Sequence, residues 1–172
     1  KVIQADATTA VLKYYKNGDP KNEDQGFEVL RHWGGNGAAY VYEIAPDALL
    51  LEYLTGPSLG DLSRSDKDDQ TAIVLAKTAK TLHRMPKDAS LDLHHIDHWY
   101  RDLFRFDMQR LDPNLRQAFT QAIDIAKELL ATQGPPIILH GDLHHDNVIQ
   151  GDRGWLCIDP KGILGEAEAE MA

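Results

Sequence analysis

The stretch IILHGDLHHDNVIQGDRGWLCIDPKG, residues 137–162, decides how this chain is read. An apolar run (Ile137, Ile138, Leu139) leads into a dense polar knot of His140, Asp142, His144, His145, Asp146 and Asn147. A second apolar pair precedes a turn, and a third run ends on Asp159. β-Branched and apolar residues predict a short strand over 137–140. Residues 148–150 and 155–158 predict a hairpin closed by Gly151, Asp152, Arg153 and Gly154. The knot then occupies a tight loop between strands, where a rigid scaffold holds side chains over a cleft. So many polar groups are costly to bury, and a purely structural loop has no need of them.

Asp142 and Asn147 share this loop, and Asp159 arrives from the far end of the hairpin, so three oxygen-bearing side chains converge. Carboxylate and amide oxygens are hard donors. A site with only two or three of them keeps room for water and phosphate oxygens, the usual way of holding Mg²⁺. In kinase-type phosphoryl transfer one Asp accepts the substrate hydroxyl proton, while an Asn on the same loop and a second Asp carry the metal.

HGDLHHDN followed by IDPKG resembles the aminoglycoside phosphotransferases, and more narrowly their streptomycin and hydroxyurea kinase branch. The double His and the Pro-Lys-Gly after the second Asp make the resemblance more specific than an isolated His-x-Asp. It implies an α+β, protein-kinase-like fold of two lobes, with a small antiparallel-sheet N-lobe and a mainly helical C-lobe. It also implies ATP and Mg²⁺ as cofactors and transfer of the γ-phosphoryl group to a hydroxyl of an aminoglycoside such as streptomycin. Asp142 would be the catalytic base, with Asn147 and Asp159 as the Mg²⁺ ligands. His140 would anchor the loop, and Lys161 would add positive charge near the transferred group.

Two other readings stand beside this one. Imidazole suits zinc or iron better than magnesium, so a His- and Asp-rich loop also fits a metal-dependent hydrolase. A non-catalytic nucleotide-binding protein on the kinase fold is the other, although a binding module has no use for the base.

Composition narrows the classes further. The 172 residues carry a net charge of −9 with no clustered surplus of Lys and Arg, which argues against a nucleic-acid partner and suits a cationic, hydroxylated small molecule. The lone cysteine, Cys157, lies in an apolar strand, so no intramolecular disulfide forms. There is no apolar run of membrane-spanning length and no charged-then-apolar leader, so the expectation is a cytoplasmic protein.

Upstream, residues 2–7 and 8–15 predict two strands with Lys13 inside the second. Lysine is common on strand edges; beside the later motif, the resemblance assigns Lys13 to the nucleotide α- and β-phosphates. A turn at residues 17–20 precedes a helix over about 22–33, with Phe27, Leu30 and Trp33 on its apolar face. Kinase-like folds place here a glutamate that pairs with the strand lysine, and Glu28 is preferred to Glu23. Strands follow at residues 38–44 and 48–53. The second breaks at Gly56-Pro57 and resembles the hinge between lobes, where Glu52 and Leu54 offer backbone groups to an adenine edge.

Beyond Pro57 helices dominate. Ser65 with Asp68 approximates a capping box for a helix ending at Met85-Pro86. His94 and His98 are spaced to share a helix face, without the pattern of zinc proteases. Asp112-Pro113 caps a further helix whose stripe of Leu115, Phe119, Ile123, Ala126 and Leu130 reads as core. The division expected is residues 1–54 as a partial nucleotide-binding lobe with hinge, and 55–172 as a partial helical lobe with the catalytic loop. Relative to the family the chain reads as truncated at both ends, lacking the glycine-rich phosphate loop and the last helices of the acceptor pocket.

Overall fold

A computed structural model describes residues 1–15 and 24–171; the predicted turn at 17–20 and Glu23 lie outside them. β-Branched and aromatic residues at Thr9–Tyr14 form strand β2, which pairs antiparallel with the apolar run Ala48–Glu52 (β4) in the register Ala10↔Glu52 to Tyr14↔Ala48. Val2–Ile3 (β1) extends the sheet beyond β2, and Val41–Ala45 (β3) extends it beyond β4, giving the order β1-β2-β4-β3. The first predicted strand therefore shrinks to two residues, because Gln4 and Thr8 close a turn through the Gln4 N–H to Thr8 carbonyl bond at 2.9 Å.

Helix α1, Asp24–Trp33, buries Phe27, Val29, Leu30 and Trp33, as the apolar spacing predicts. These side chains join Leu49, Leu59, Leu75, Leu82, Ile138, Leu143, Val148 and Cys157 in one apolar cluster, so the sheet and the helical part share a core. Cys157 is buried and free, as its strand context suggests.

The helical part opens with α2, Leu59–Leu62, followed by α3, Asp68–Leu82. The capping box sits one segment earlier than expected. Ser58 Oγ accepts from the Asp61 N–H at 3.0 Å, and the Ser58 N–H donates to Asp61 Oδ2 at 3.1 Å. Ser65 turns instead to the Leu62 carbonyl, because Asp66 takes the left-handed conformation (φ 62°) and breaks the helical path before α3.

His94–His95 form strand β5 and Ile96–His98 a single 3₁₀ turn, so the expected helix face does not exist; the His94 and His98 rings stack at 3.9 Å. Helix α4, Arg101–Arg105, leads to α5, Pro113–Ala131, capped by Asp112 as predicted, its side chain accepting from the Asn114 N–H at 2.8 Å. The α5 stripe reaches the core only in its second half, where Leu130 packs against the buried cluster of Ile96, Leu139 and Ile163. Ala126 is its buried residue, Leu115 is 57% exposed, and Phe119 meets Phe106 at the surface.

Ile137–Leu139 (β6), Val148–Gly151 (β7), Gly154–Cys157 (β8) and Ile163–Gly165 (β9) complete the chain's strands, with the β7–β8 hairpin close to its predicted bounds. β9 lies between β5, parallel to it, and β6, antiparallel. The hairpin is hydrogen-bonded along both edges. Cys157 donates to the Gly37 carbonyl and accepts from the Ala39 N–H, both at 2.9 Å. Gln150 accepts from the Gly56 N–H at 2.9 Å and donates to the Pro57 carbonyl at 3.0 Å. The hairpin thus bridges the α1–β3 linker and the segment after β4.

Helix α1 touches the loop after Asp159 through glycine. A Cβ at Gly26 would lie 1.8 Å from the Pro160 carbonyl oxygen, closer than any atom is allowed. Gly26→Ala is therefore expected to destabilise the protein by about 2–3 kcal/mol, read as a lower denaturation midpoint in urea with an unchanged m-value. Wild-type stability for this variant would show that α1 does not rest on the loop.

Candidate active site

The knot is built around His140, which is fully buried. Its Nε2 lies 2.8 Å from the Ile158 carbonyl, and its Nδ1 lies 3.3 Å from the Asp142 nitrogen. With Nε2 donating to that carbonyl and Nδ1 accepting from the Asp142 N–H, the ring is in its neutral form. Burial drives its pKa below the ordinary 6.5, outweighing the attraction of Glu170 and the nearby aspartates. The main chain adds to the link, because the His140 carbonyl accepts from Lys161 N–H at 2.8 Å and Gly162 N–H at 3.2 Å. One residue therefore ties the loop carrying Asp142 to the segment carrying Asp159.

Asp142 is half-exposed, with Lys161 Nζ 3.9 Å from its Oδ2 and His144 Nε2 4.0 Å from its Oδ1. Asn147 closes a 3₁₀ turn over His145–Asn147 and donates from Nδ2 to the Asp142 carbonyl at 2.9 Å. That bond fixes the amide and leaves its oxygen as the group to meet a cation. Asn147 also accepts from the Ile158 N–H at 2.9 Å, which sets it beside Asp159. Asp159 holds φ at 56°, a left-handed conformation that costs a non-glycine residue roughly 1–3 kcal/mol and is retained mostly where function needs it. Its Oδ1 is 3.0 Å from Lys13 Nζ.

Lys13 and Asp159 belong to a cleft of about 380 Å³ that is otherwise lined by Val11, Leu12, Leu51, Glu52, Tyr53, Leu54, Ile149 and Ile158. Apolar walls with a cation and a carboxylate among them fit a planar base carrying a phosphate chain. The donor set of Asn147 and Asp159 is all hard oxygen, which fits Mg²⁺. A second cavity of about 440 Å³ is lined by Gly141, Asp142, Leu143, His144, Ile96, Trp99, Tyr100, Ile163, Ala169 and Glu170. Among the described residues no group of three or more His, Cys, Asp or Glu is arranged to hold a metal ion. No helix among those residues is long and apolar enough to cross a membrane.

The whole chain, residues 1–172, matches the family model described as aminoglycoside/hydroxyurea antibiotic resistance kinase. The chain belongs to that family. It is 39% identical over 153 residues to a streptomycin 3''-kinase of Klebsiella pneumoniae, covering 88% of this chain and 55% of the relative. It is 31% identical over 171 residues to a streptomycin 6-kinase of Streptomyces griseus, covering 96% and 54%. The chain thus spans about half the length of the curated relatives it matches. Among solved structures, a thermostable mutant of aminoglycoside phosphotransferase APH(4)-Ia superposes with a TM-score of 0.67 at 14% identity, covering 94% of this chain and 62% of that one. This establishes the protein-kinase-like fold, as the resemblance implied.

Of the residues singled out in the sequence, Lys13 meets Asp159, Lys161 and Asn147 lie beside Asp142, His140 ties the two groups together, and Glu52 and Leu54 line the cleft with Lys13. Glu28 is a correction: it pairs with Arg31, one turn along α1, rather than with Lys13. The helix places Arg31 within easy reach, and Asp159 is among the partners of Lys13. The Glu52 N–H is already donated to the Tyr40 carbonyl at 2.8 Å, so that group is not offered to a base.

Sequence reading missed Glu170. Its side chain is fully buried and its carboxylate accepts from the His140 N–H at 2.7 Å and the Gly141 N–H at 2.9 Å, with His83 Nε2 3.4 Å away. Burial opposes ionisation, but His83 and the two N–H groups together outweigh it and hold the carboxyl below its ordinary 4.5. Nothing in the Glu/Ala alternation of residues 166–170 marks one glutamate as buried.

Both groups destabilise the fold in acid. Unfolding lets His140 gain a proton below its ordinary 6.5, while Glu170 must take one up as pH falls through its lowered value. Stability is therefore expected to be level above pH 7 and to fall below about 6.5 by up to about 1.4 kcal/mol per unit for each proton taken up. Urea titrations across pH 4–8 read this, and a flat profile between 6.5 and 5 would contradict a neutral, buried His140.

Proposed function

We propose that the chain forms the nucleotide site and catalytic loop of an ATP- and Mg²⁺-dependent kinase that phosphorylates a hydroxyl of streptomycin or a related aminoglycoside. One observation carries the reading: Asp159 and Lys13 line one cleft, Asp142 lines a separate cavity, and His140 ties together the two segments that carry these aspartates. Donor and acceptor then meet across one rigid loop, as phosphoryl transfer needs positioning and charge neutralisation more than covalent chemistry. In this reading residues 1–54 supply the nucleotide lobe and hinge, and residues from 55 onward supply the loop and acceptor side. Dependence on ATP supports a cytoplasmic location.

Bound ATP supplies the phosphoryl group, and Mg²⁺ neutralises charge on its phosphates. Asn147 and Asp159 would hold the metal, and Lys13 the nucleotide phosphates. Asp142 would accept a hydrogen bond from the acceptor hydroxyl and take its proton as the new O–P bond forms, while the bond from the γ-phosphorus to its bridging oxygen breaks and ADP leaves. Lys161, 3.9 Å from Asp142, keeps positive charge beside that carboxylate. His140 acts through position alone, because both its nitrogens are committed to the backbone.

The acceptor cavity has the chemistry of a cationic ligand site, with Trp99 and Tyr100 as aromatic faces and Asp142 as its accessible carboxylate. The net charge of −9 favours the approach of a cation. The two relatives are named for different streptomycin positions, so they do not single out one acceptor hydroxyl.

In the full-length protein, Asp142→Asn is expected to lower kcat with streptomycin by about 10²–10⁴-fold while ATP and Mg²⁺ still raise the melting temperature. Asp159→Asn is expected to lose that Mg²⁺-dependent stabilisation. Coupled ADP-release kinetics and thermal melts read both; undiminished turnover by Asp142→Asn would refute the base, and a wild-type protein indifferent to ATP would refute the kinase reading.

A further inference from the structure

Arg153 sits in the two-residue turn between β7 and β8, a position where a polar side chain ordinarily faces water. Here its guanidinium reaches out of the turn to two separate segments, the end of β4 and the α1–β3 linker. Nε donates to Glu52 Oε1 at 3.3 Å, Nη2 donates to Glu52 Oε2 and to the Ala38 carbonyl, the latter at 3.3 Å, and Nη1 donates to the Gly35 carbonyl. Glu52 is the last residue of β4 and its side chain is only 17% exposed. The same carboxylate accepts from the Tyr40 N–H at 3.0 Å. Gly35 makes room: its φ is +87°, and a Cβ there would stand 3.2 Å from Arg153 Nη1.

An exposed ion pair is worth little. This one differs, because the carboxylate is largely buried, the guanidinium engages it with two nitrogens, and the remaining donors are spent on backbone carbonyls. The cost of building it into a turn points to a role at the hairpin's other end. Asn147 directly precedes β7, and Asp159 follows β8 by one residue. Strands of four residues make the hairpin a lever about 13 Å long. The nucleotide cleft lies between this lever, through Ile149 and Ile158, and the β4 end, through Leu51 to Leu54.

We propose that Arg153 is a positioning residue for the nucleotide: by clamping the hairpin turn to Glu52 it fixes the width of the ATP cleft and the setting of Asp159 against the hinge. The inference rests on the kinase reading above and goes one step further, to a residue that touches neither substrate. The acceptor cavity has no hairpin residue in its lining, so the two substrates respond differently.

The test is steady-state kinetics of the full-length protein with ATP and streptomycin each varied, alongside thermal melts. Arg153→Met is expected to raise KM for ATP about tenfold, with KM for streptomycin changed less than twofold. Arg153→Lys, which keeps the charge without the fork, is expected to lie between, and serves if Arg153→Met folds poorly. Glu52→Gln should raise KM for ATP by itself, yet add nothing in the Arg153→Met background, since both act through one link. An unchanged KM for ATP in folded Arg153→Met and Arg153→Lys, or multiplying effects in the double variant, would overturn the inference while leaving the kinase reading intact. Wild-type protein that neither binds nor consumes ATP would overturn both.

Discussion

The imidazole of His140 is the point on which the rest of the site depends. It is buried against Trp33 of α1, donates to the Ile158 carbonyl and accepts from the Asp142 N–H, while its own carbonyl takes the Lys161 and Gly162 N–H groups. The two acidic residues of the site come from segments some 17 residues apart in sequence, and neither holds the other. Both are held by this one side chain and its peptide. Glu170 completes the arrangement from below by taking the His140 and Gly141 N–H groups. Unsatisfied, each of those buried donors would cost roughly 1–3 kcal/mol, so the loop has few alternatives to the observed path.

Rigidity of this kind suits chemistry that depends on placement. A phosphoryl group is transferred between oxygens that must be aligned, and an error near 1 Å is costly. The hairpin extends the same logic to the nucleotide side. It is hydrogen-bonded along one edge to the α1–β3 linker and along the other to the segment after β4, and its turn is held by Arg153. Helix α1 rests on Pro160 through Gly26, so the loop after Asp159 is bounded on that side too. Asp159 can then keep a left-handed backbone that an isolated chain would avoid.

Much of this was legible in the sequence because the signals were local. The hairpin announced itself by two short apolar runs around Gly-Asp-Arg-Gly, α5 by Asp-Pro at its start, and the loop by polar groups packed more densely than a turn requires. What failed to show depended on partners distant in the chain. Glu28 looked right on its helix but lies within reach of Arg31. Ser65 and Asp68 had capping spacing, yet the left-handed Asp66 between them ended that path, and Ser58 with Asp61 took the role. Glu170 and the Arg153–Glu52 clamp, spanning 30 and 101 positions, leave no local pattern at all. The apolar stripe of α5 held only in part: periodicity gives a helix its face but not the depth at which each turn packs, so Ala126 and Leu130 go inward while Leu115 stays at the surface.

The central claim is that the catalytic loop, the Asp159 segment and the hinge act as one unit. Hydrogen–deuterium exchange of the full-length protein with and without Mg²⁺ and ATP tests it most directly. The account predicts that amides in residues 51–56, 140–147 and 158–162 slow together on addition of both ligands, and that ATP without Mg²⁺ leaves the latter two segments less protected. Protection confined to one of the three segments, or none in the stretch from His140 to Gly162, would contradict it.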